Sequence, residues 1–212
     1  MMSYKNDSIP RVAMVTGAAG SIGSAVVRRL GSEGWKVAGI DLKKADADPF
    51  LPVDVTDRAA MEEAAARIAD ELGPIGLLVT AAGDHDKIAM GEMALSRWQR
   101  MLDVWLGGTT NACAAVVPRM IEAGIGTVVL LSRDFSTAGK GHTYTAAASN
   151  TVIAFAKSFG CEVAAAGVRV NCIAVRCPAN HEWVAGAVDF LAKEGQYYAG
   201  QVMFINPYQP GA

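Results

Sequence analysis

Hydrophobic and polar positions follow two rhythms along this chain, and the rhythms alternate from one end to the other. The apolar run Val12–Val15 leads into a turn rich in glycine and alanine, after which Ile22, Val26, Val27 and Leu30 recur at helical spacing. Repeated along the chain, this succession predicts strands over 11–16, 36–41, 50–53, 75–80, 126–132, 168–174 and 201–205. Between them it predicts helices over 21–33, 57–72, 94–122, 143–166 and 182–193. Gly73-Pro74, Gly124, Gly126 and Gly167 stand where helices should end. Strands apolar on both faces, separated by helices, belong in a parallel sheet covered on both sides. The expected architecture is therefore α/β, doubly wound, with a seven-stranded parallel sheet and right-handed crossovers. It is expected to form one domain over residues 1–212, since no repeat, linker or low-complexity tract interrupts the pattern.

The first strand-to-helix turn carries the most specific chemistry. Gly17 allows a tight turn, Gly20 lets backbone approach a pyrophosphate, and Gly23 lets the helix sit close to the strand. Ser21 and Ile22 open the helix, whose free N–H groups and positive dipole end favour phosphate. The second strand ends in Asp41, a carboxylate able to accept from a ribose 2′-hydroxyl and to repel a 2′-phosphate. These residues point to a Rossmann-type site for NAD, with Lys43 and Lys44 leaving some tolerance of NADP. A glycine-rich turn without ligand is the bland alternative, and the strand context together with Asp41 argues against it.

Composition narrows the partners. A chain of 212 residues, 51% hydrophobic, can bury a large core. Its formal charge of −2 gives no electrostatic case for nucleic acid or an anionic membrane, and no apolar stretch is long enough to span a bilayer. The polar first ten residues lack a signal-peptide core, which predicts a cytoplasmic protein. Cys113, Cys161, Cys172 and Cys177 lie mostly in apolar contexts without a histidine cluster, so buried free thiols are expected and a metal site is not.

Together the pieces resemble the short-chain dehydrogenase/reductase family over about 200 residues, a resemblance that implies the strand order 3-2-1-4-5-6-7. Thr16-Gly17-Ala18-Ala19-Gly20-Ser21-Ile22-Gly23 matches the family's TGxxxGIG turn. Asp54-Val55 stands where the family holds adenine, and Leu78–Gly83 stands for its LVNNAG segment with Thr80 and Ala81 in place of the asparagines. Trp98 and Val104 suit the entry to the long fourth helix, Arg169-Val170-Asn171 matches the RVN of the sixth strand, and Gly200-Gln201-Val202 opens the last. The resemblance implies a cofactor site at Gly17, Gly20, Ser21, Ile22, Gly23, Asp41, Asp54, Val55 and Ala81, with Tyr144 as the catalytic tyrosine.

The family's catalytic set is nevertheless incomplete. A tyrosine titrating near pH ~10 needs a neighbouring cation to act as a base at neutral pH. Ala148 occupies the lysine position four residues after Tyr144, Trp105 replaces the asparagine, and the serine position falls on Arg133, or on Ser132 if the loop shifts by one. Lys157 lies thirteen residues beyond Tyr144, roughly 20 Å along a helix at about 1.5 Å per residue, too far to substitute. Lys140, His142 and Arg133 are the remaining candidate cations. Val175-Arg176-Cys177-Pro178 replaces the PGPV-type segment, and Asn180 passes almost directly into the last helix, omitting the substrate lid.

The expected function is a non-catalytic, vestigial-site subunit that assembles with an active paralogue in an NAD-dependent alcohol or hydroxyacyl dehydrogenase complex. Contact is expected through the long helices near 94–122 and 143–166, where Ala146, Ala147, Ala148, Val152, Phe155, Ala156 and Phe159 form an apolar surface. Two alternatives remain: an active NAD-dependent oxidoreductase using Tyr144 with a substitute cation, and an NAD-responsive binding protein.

Overall fold

The computed structural model describes residues 9–134, 140–176 and 179–206. Strand β1 (Val12–Thr16) leads through the glycine turn into α1 (Ser21–Ser32), followed by β2 (Lys36–Asp41), β3 (Phe50–Pro52) and α2 (Arg58–Leu72). Strand β4 (Leu77–Thr80) precedes α3 (Leu95–Leu102), a π-helical turn (Asp103–Gly107) and α4 (Gly108–Ala123). Then come β5 (Gly126–Asp134), α5 (Thr143–Val163), β6 (Val168–Arg176), α6 (His181–Lys193) and β7 (Val202–Ile205). The strands form one seven-stranded sheet in the order β3-β2-β1-β4-β5-β6-β7, and every pairing is parallel.

Strand alternation divides the core into two layers. Met14, Ile40, Leu78, Leu130 and Cys172 face α2, α4 and α5, whereas Val15, Val37, Val79, Leu131 and Ile173 face α1 and α6. Local capping agrees with this arrangement. The Asp57 carboxylate accepts from Ala60 N–H at 3.0 Å at the head of α2, and the Asn180 side chain accepts from Glu182 N–H at 2.9 Å at the head of α6.

Two departures from the predicted elements bear on the site. The helix expected over 94–122 is divided by the π turn, which buries Val104 and Trp105. The wider turn sets the Trp105 indole against the β4 loop, and such turns recur at functional positions. Strands β5 and β6 also run two residues past their predicted ends, pairing Arg133 with Val175 and Asp134 with Arg176. With no proline or glycine at Val175 and Arg176 to break the ladder, pairing continues, and the Arg176 guanidinium donates to Asp134 at 2.7 and 3.0 Å.

Positions 177–180 alone separate β6 from α6, so the expected omission of a lid is present in the topology; Cys177 and Pro178 themselves lie outside the described residues. The thiol expectation needs one correction. Cys113 and Cys172 are buried, but Cys161 is exposed on the outer face of α5. Among the described residues no helix is long and apolar enough to cross a membrane.

Candidate functional site

A cleft of about 360 Å³ opens over the carboxyl ends of β1, β2, β3 and β4. Gly17 and Gly20 form its floor, Asp41, Leu42 and Lys43 one wall, and Val53, Asp54 and Val55 the end beside β3. Ala81, Ala82, Gly83 and Asp84 line the β4 side, with Arg100 and Val104 above. Gly17, Gly20, Asp41, Asp54, Val55 and Ala81 of the sequence-predicted set therefore share one cavity. Ser21, Ile22 and Gly23 occupy the first turn of α1, which has Gly20 as its N-cap and no capping side chain.

The glycines are there for contact as well as conformation. Gly17 has φ +67°, and a Cβ there would lie 2.5 Å from the Ala81 carbonyl carbon. A Cβ on Gly23 would lie 2.0 Å from the Gly17 oxygen, so α1 could not approach the turn with any larger residue. The Asp41 carboxylate accepts from Ala19 N–H and Lys43 N–H, each at 3.0 Å, which fixes it at the mouth of the turn. At the far end Asp54 accepts from the Thr56 N–H at 2.9 Å, the Thr56 hydroxyl at 2.8 Å and Arg100 at 3.2 Å. Burial pushes its carboxyl up, but the Thr56 and Arg100 donors outweigh that effect and hold it below the ordinary range. Arg100 carries no local sequence signal, because its partner lies 46 residues away.

On the other side of β4 the polar groups are engaged with one another. The Trp105 indole is 5% exposed, donates to the Asp84 carbonyl at 2.6 Å and packs so closely on Gly83 that a Cβ there would be 2.6 Å from the ring. The Thr145 hydroxyl donates to the Asp86 carbonyl at 3.0 Å and accepts from the Asp86 N–H at 3.3 Å. Ser132 donates to the Ser149 carbonyl at 2.8 Å, and Ser149 donates to the carbonyls of Arg133 and Ala146 at 3.2 and 3.3 Å. Ser132, Thr145 and Ser149 are each at most 1% exposed.

This arrangement shifts the expected register of α5. The buried hydroxyls of α5 belong to Thr145 and Ser149, one position beyond Tyr144 and Ala148, and Ser132 bonds the Ser149 carbonyl. Tyr144 lies off the buried stripe. Its ring meets Trp98 at 5.6 Å between centroids, and its hydroxyl accepts from the Gly91 N–H at 3.5 Å. The signal was present in the spacing 145, 148, 149, 152, 156, but a tyrosine at the head of a helix matched the family pattern more conspicuously. In either register the cation four residues on is missing.

Lys140 and His142 open with Lys87 and Glu92 onto a separate depression. Arg97 at the start of α3 pairs with Asp84 at 2.7 Å and with Asp86 in the loop between β4 and α3. That guanidinium holds the Asp86 carboxyl below the ordinary range.

The sequence profile of the short chain dehydrogenase family matches residues 11–179. The chain belongs to the short-chain dehydrogenase family. It is 33% identical over 177 residues to the D-threitol dehydrogenase of Mycolicibacterium smegmatis, covering 77% of this chain and 68% of that one. A Sphingomonas enzyme named 2-dehydro-3-deoxy-L-rhamnonate dehydrogenase (NAD(+)) is 35% identical over 177 residues, covering 77% and 70%. The 2,3-dihydro-2,3-dihydroxybenzoate dehydrogenase of Bacillus subtilis is 32% identical over 180 residues, covering 77% and 68%. In fold, this short-chain dehydrogenase superposes on a Burkholderia xenovorans protein with TM-score 0.86 at 24% identity, covering 92% and 94% of the two chains.

Proposed function

We propose that this short-chain dehydrogenase is a non-catalytic member that holds NAD in the β1–β4 cleft and serves as a subunit beside a catalytically complete relative. The reaction of the assembly would be an NAD-dependent oxidation of an alcohol or hydroxyacyl substrate. The observation that carries this reading is the buried set Ser132, Thr145 and Ser149, whose hydroxyls are satisfied internally. A group that exchanges a proton with substrate must reach it and titrate near the working pH. Aliphatic hydroxyls enclosed beneath the β4–α3 loop, with no lysine four residues on, meet neither condition.

NAD suits the Asp41 carboxylate at the mouth of the glycine turn, and one relative carries NAD(+) in its name. When bound, the nicotinamide of such a cofactor supplies hydride chemistry; here the chain's own residues hold the adenosine end and supply no proton carrier.

Assembly is supported by surface composition. Ala148, Val152 and Ala156 of the predicted contact surface are fully buried in this chain's own core and Phe155 and Phe159 are half-buried against it, which leaves Ala147 exposed and Ala146 half-buried. Large apolar side chains are also exposed on α6, the following loop and β7: Trp183, Phe190, Tyr197 and Phe204. Such side chains in number mark protein contacts.

The test is a hydride-transfer assay across alcohols, ketones and hydroxyacyl thioesters, on the purified chain alone and with a catalytic relative. Activity is expected only with the relative, and Tyr144→Phe in this chain should leave it unchanged. Turnover by the chain alone that disappears in Tyr144→Phe would refute the reading.

A further inference from the structure

We infer that the cleft is built for the adenosine diphosphate end of a nucleotide, and that a nicotinamide attached to that end adds nothing to binding. This rests on the nucleotide-holding role proposed above and narrows it to a ligand class, ADP and ADP-ribose together with dinucleotides that contain them.

In a doubly wound sheet a dinucleotide lies across the point where strand order reverses, here between β1 and β4, one half on each side. The β1 side supplies a complete half-site. Gly17 and Gly20 offer backbone approach to phosphate, Asp41 stands for a ribose, and Asp54 is an ionised acceptor for an exocyclic amino group. Arg100 holds that carboxylate in place from above. The volume of about 360 Å³ lies at the small end of the range of ligand sites, about 300–1,000 Å³.

The lining stops at β4. Among the described residues it takes Ala81–Asp84 from the loop after that strand and none from β5 or β6. On the β5–β6 side, several of the described groups are already engaged. Trp105 covers Gly83 and occupies the Asp84 carbonyl, while Thr145 occupies both backbone groups of Asp86. The extended ends of β5 and β6 are joined by Arg176 and Asp134. A carboxamide and second ribose placed there would replace satisfied hydrogen bonds instead of adding new ones, so their contribution to affinity cancels.

Calorimetric titration of the purified chain with ADP, ADP-ribose, NAD and nicotinamide mononucleotide tests this. ADP-ribose and NAD are expected to agree within about threefold, less than the tenfold that one good hydrogen bond supplies, and the mononucleotide should give no heat. A larger preference for NAD, or binding of the mononucleotide, overturns the inference and leaves the nucleotide role standing. No binding of any adenine ligand overturns the nucleotide role itself. Asp41→Asn, and Arg100→Met as a second variant at the base end, should weaken ADP, ADP-ribose and NAD in parallel by about tenfold, with folding checked by thermal denaturation. A loss confined to NAD, or unchanged affinities in both variants, overturns the inference.

Discussion

Gly23 shows how little room a single position leaves. Its α-carbon lies so near the Gly17 carbonyl that one added methyl would sit 2.0 Å from that oxygen. Gly23→Ala is expected to cost about 1–3 kcal/mol of stability, as overpacking does, and to loosen the turn that faces phosphate. Urea denaturation and nucleotide titration of the variant check both effects. The thiols offer a second residue-scale contrast. Burial pushes Cys113 and Cys172 up to about 12, whereas Cys161 lies exposed on α5. Reactivity follows the thiolate, so alkylation of the native protein at pH 8 should label Cys161 and spare the other two. Peptide mapping by mass spectrometry reads the result, and labelling of Cys113 before unfolding would contradict the packing described.

At the scale of elements, the loop between β4 and α3 is held by contacts from three directions. It is fastened by Arg97 to Asp84 and Asp86, by Thr145 to the Asp86 backbone, and by the Ile88 N–H to the Gly141 carbonyl at 2.9 Å. The Arg97 guanidinium lowers the Asp86 carboxyl relative to the unfolded chain, where a carboxyl titrates at about 3.9. The stability from this contact is therefore full above that value and is lost as pH falls through the lower folded value. Asp86→Asn should destabilise the protein at neutral pH, and the difference from wild type should shrink below pH ~4, as followed by chemical denaturation at several pH values. The π turn has its own test. Trp105→Ala removes a buried indole and should cost about 3–5 kcal/mol, measured by the same denaturation.

At the scale of the whole molecule, the seven-stranded sheet carries a cleft over β1–β4, with apolar side chains exposed on α6 and β7. Trp183 is 54% exposed, so Trp183→Ser should leave folding intact. If that surface takes part in assembly, the variant will sediment as a smaller species than the wild type at equal concentration. Unchanged sedimentation would direct the proposed contact to α5, where the half-buried Phe155 and Phe159 pair at 5.1 Å between ring centroids.

The strand order came from the family resemblance, while what the sequence determined by itself was the parallel sheet and the glycine turn with Asp41. Those features are written in local periodicity and in residues a short distance apart, where sterics and capping act directly. Asp54 and Val55 were legible through a motif, and so was the missing lysine, since an alanine or serine at either register carries no charge. The tertiary structure decided the rest. Whether Tyr144 or Thr145 turns inward depends on which residue falls on the α5 stripe facing β5, and a difference of one position rotates a side chain by about 100° on a 3.6-residue helix. Arg100 became part of the cleft only when α3 was laid over β3, joining residues 46 positions apart. The extension of β6 through Arg176 needed the facing strand β5, because a ladder exists only between partners. Trp105 could be recognised as a substitution in the chain, but its role as a cover for Gly83 required the π turn and the β4 loop to meet in space.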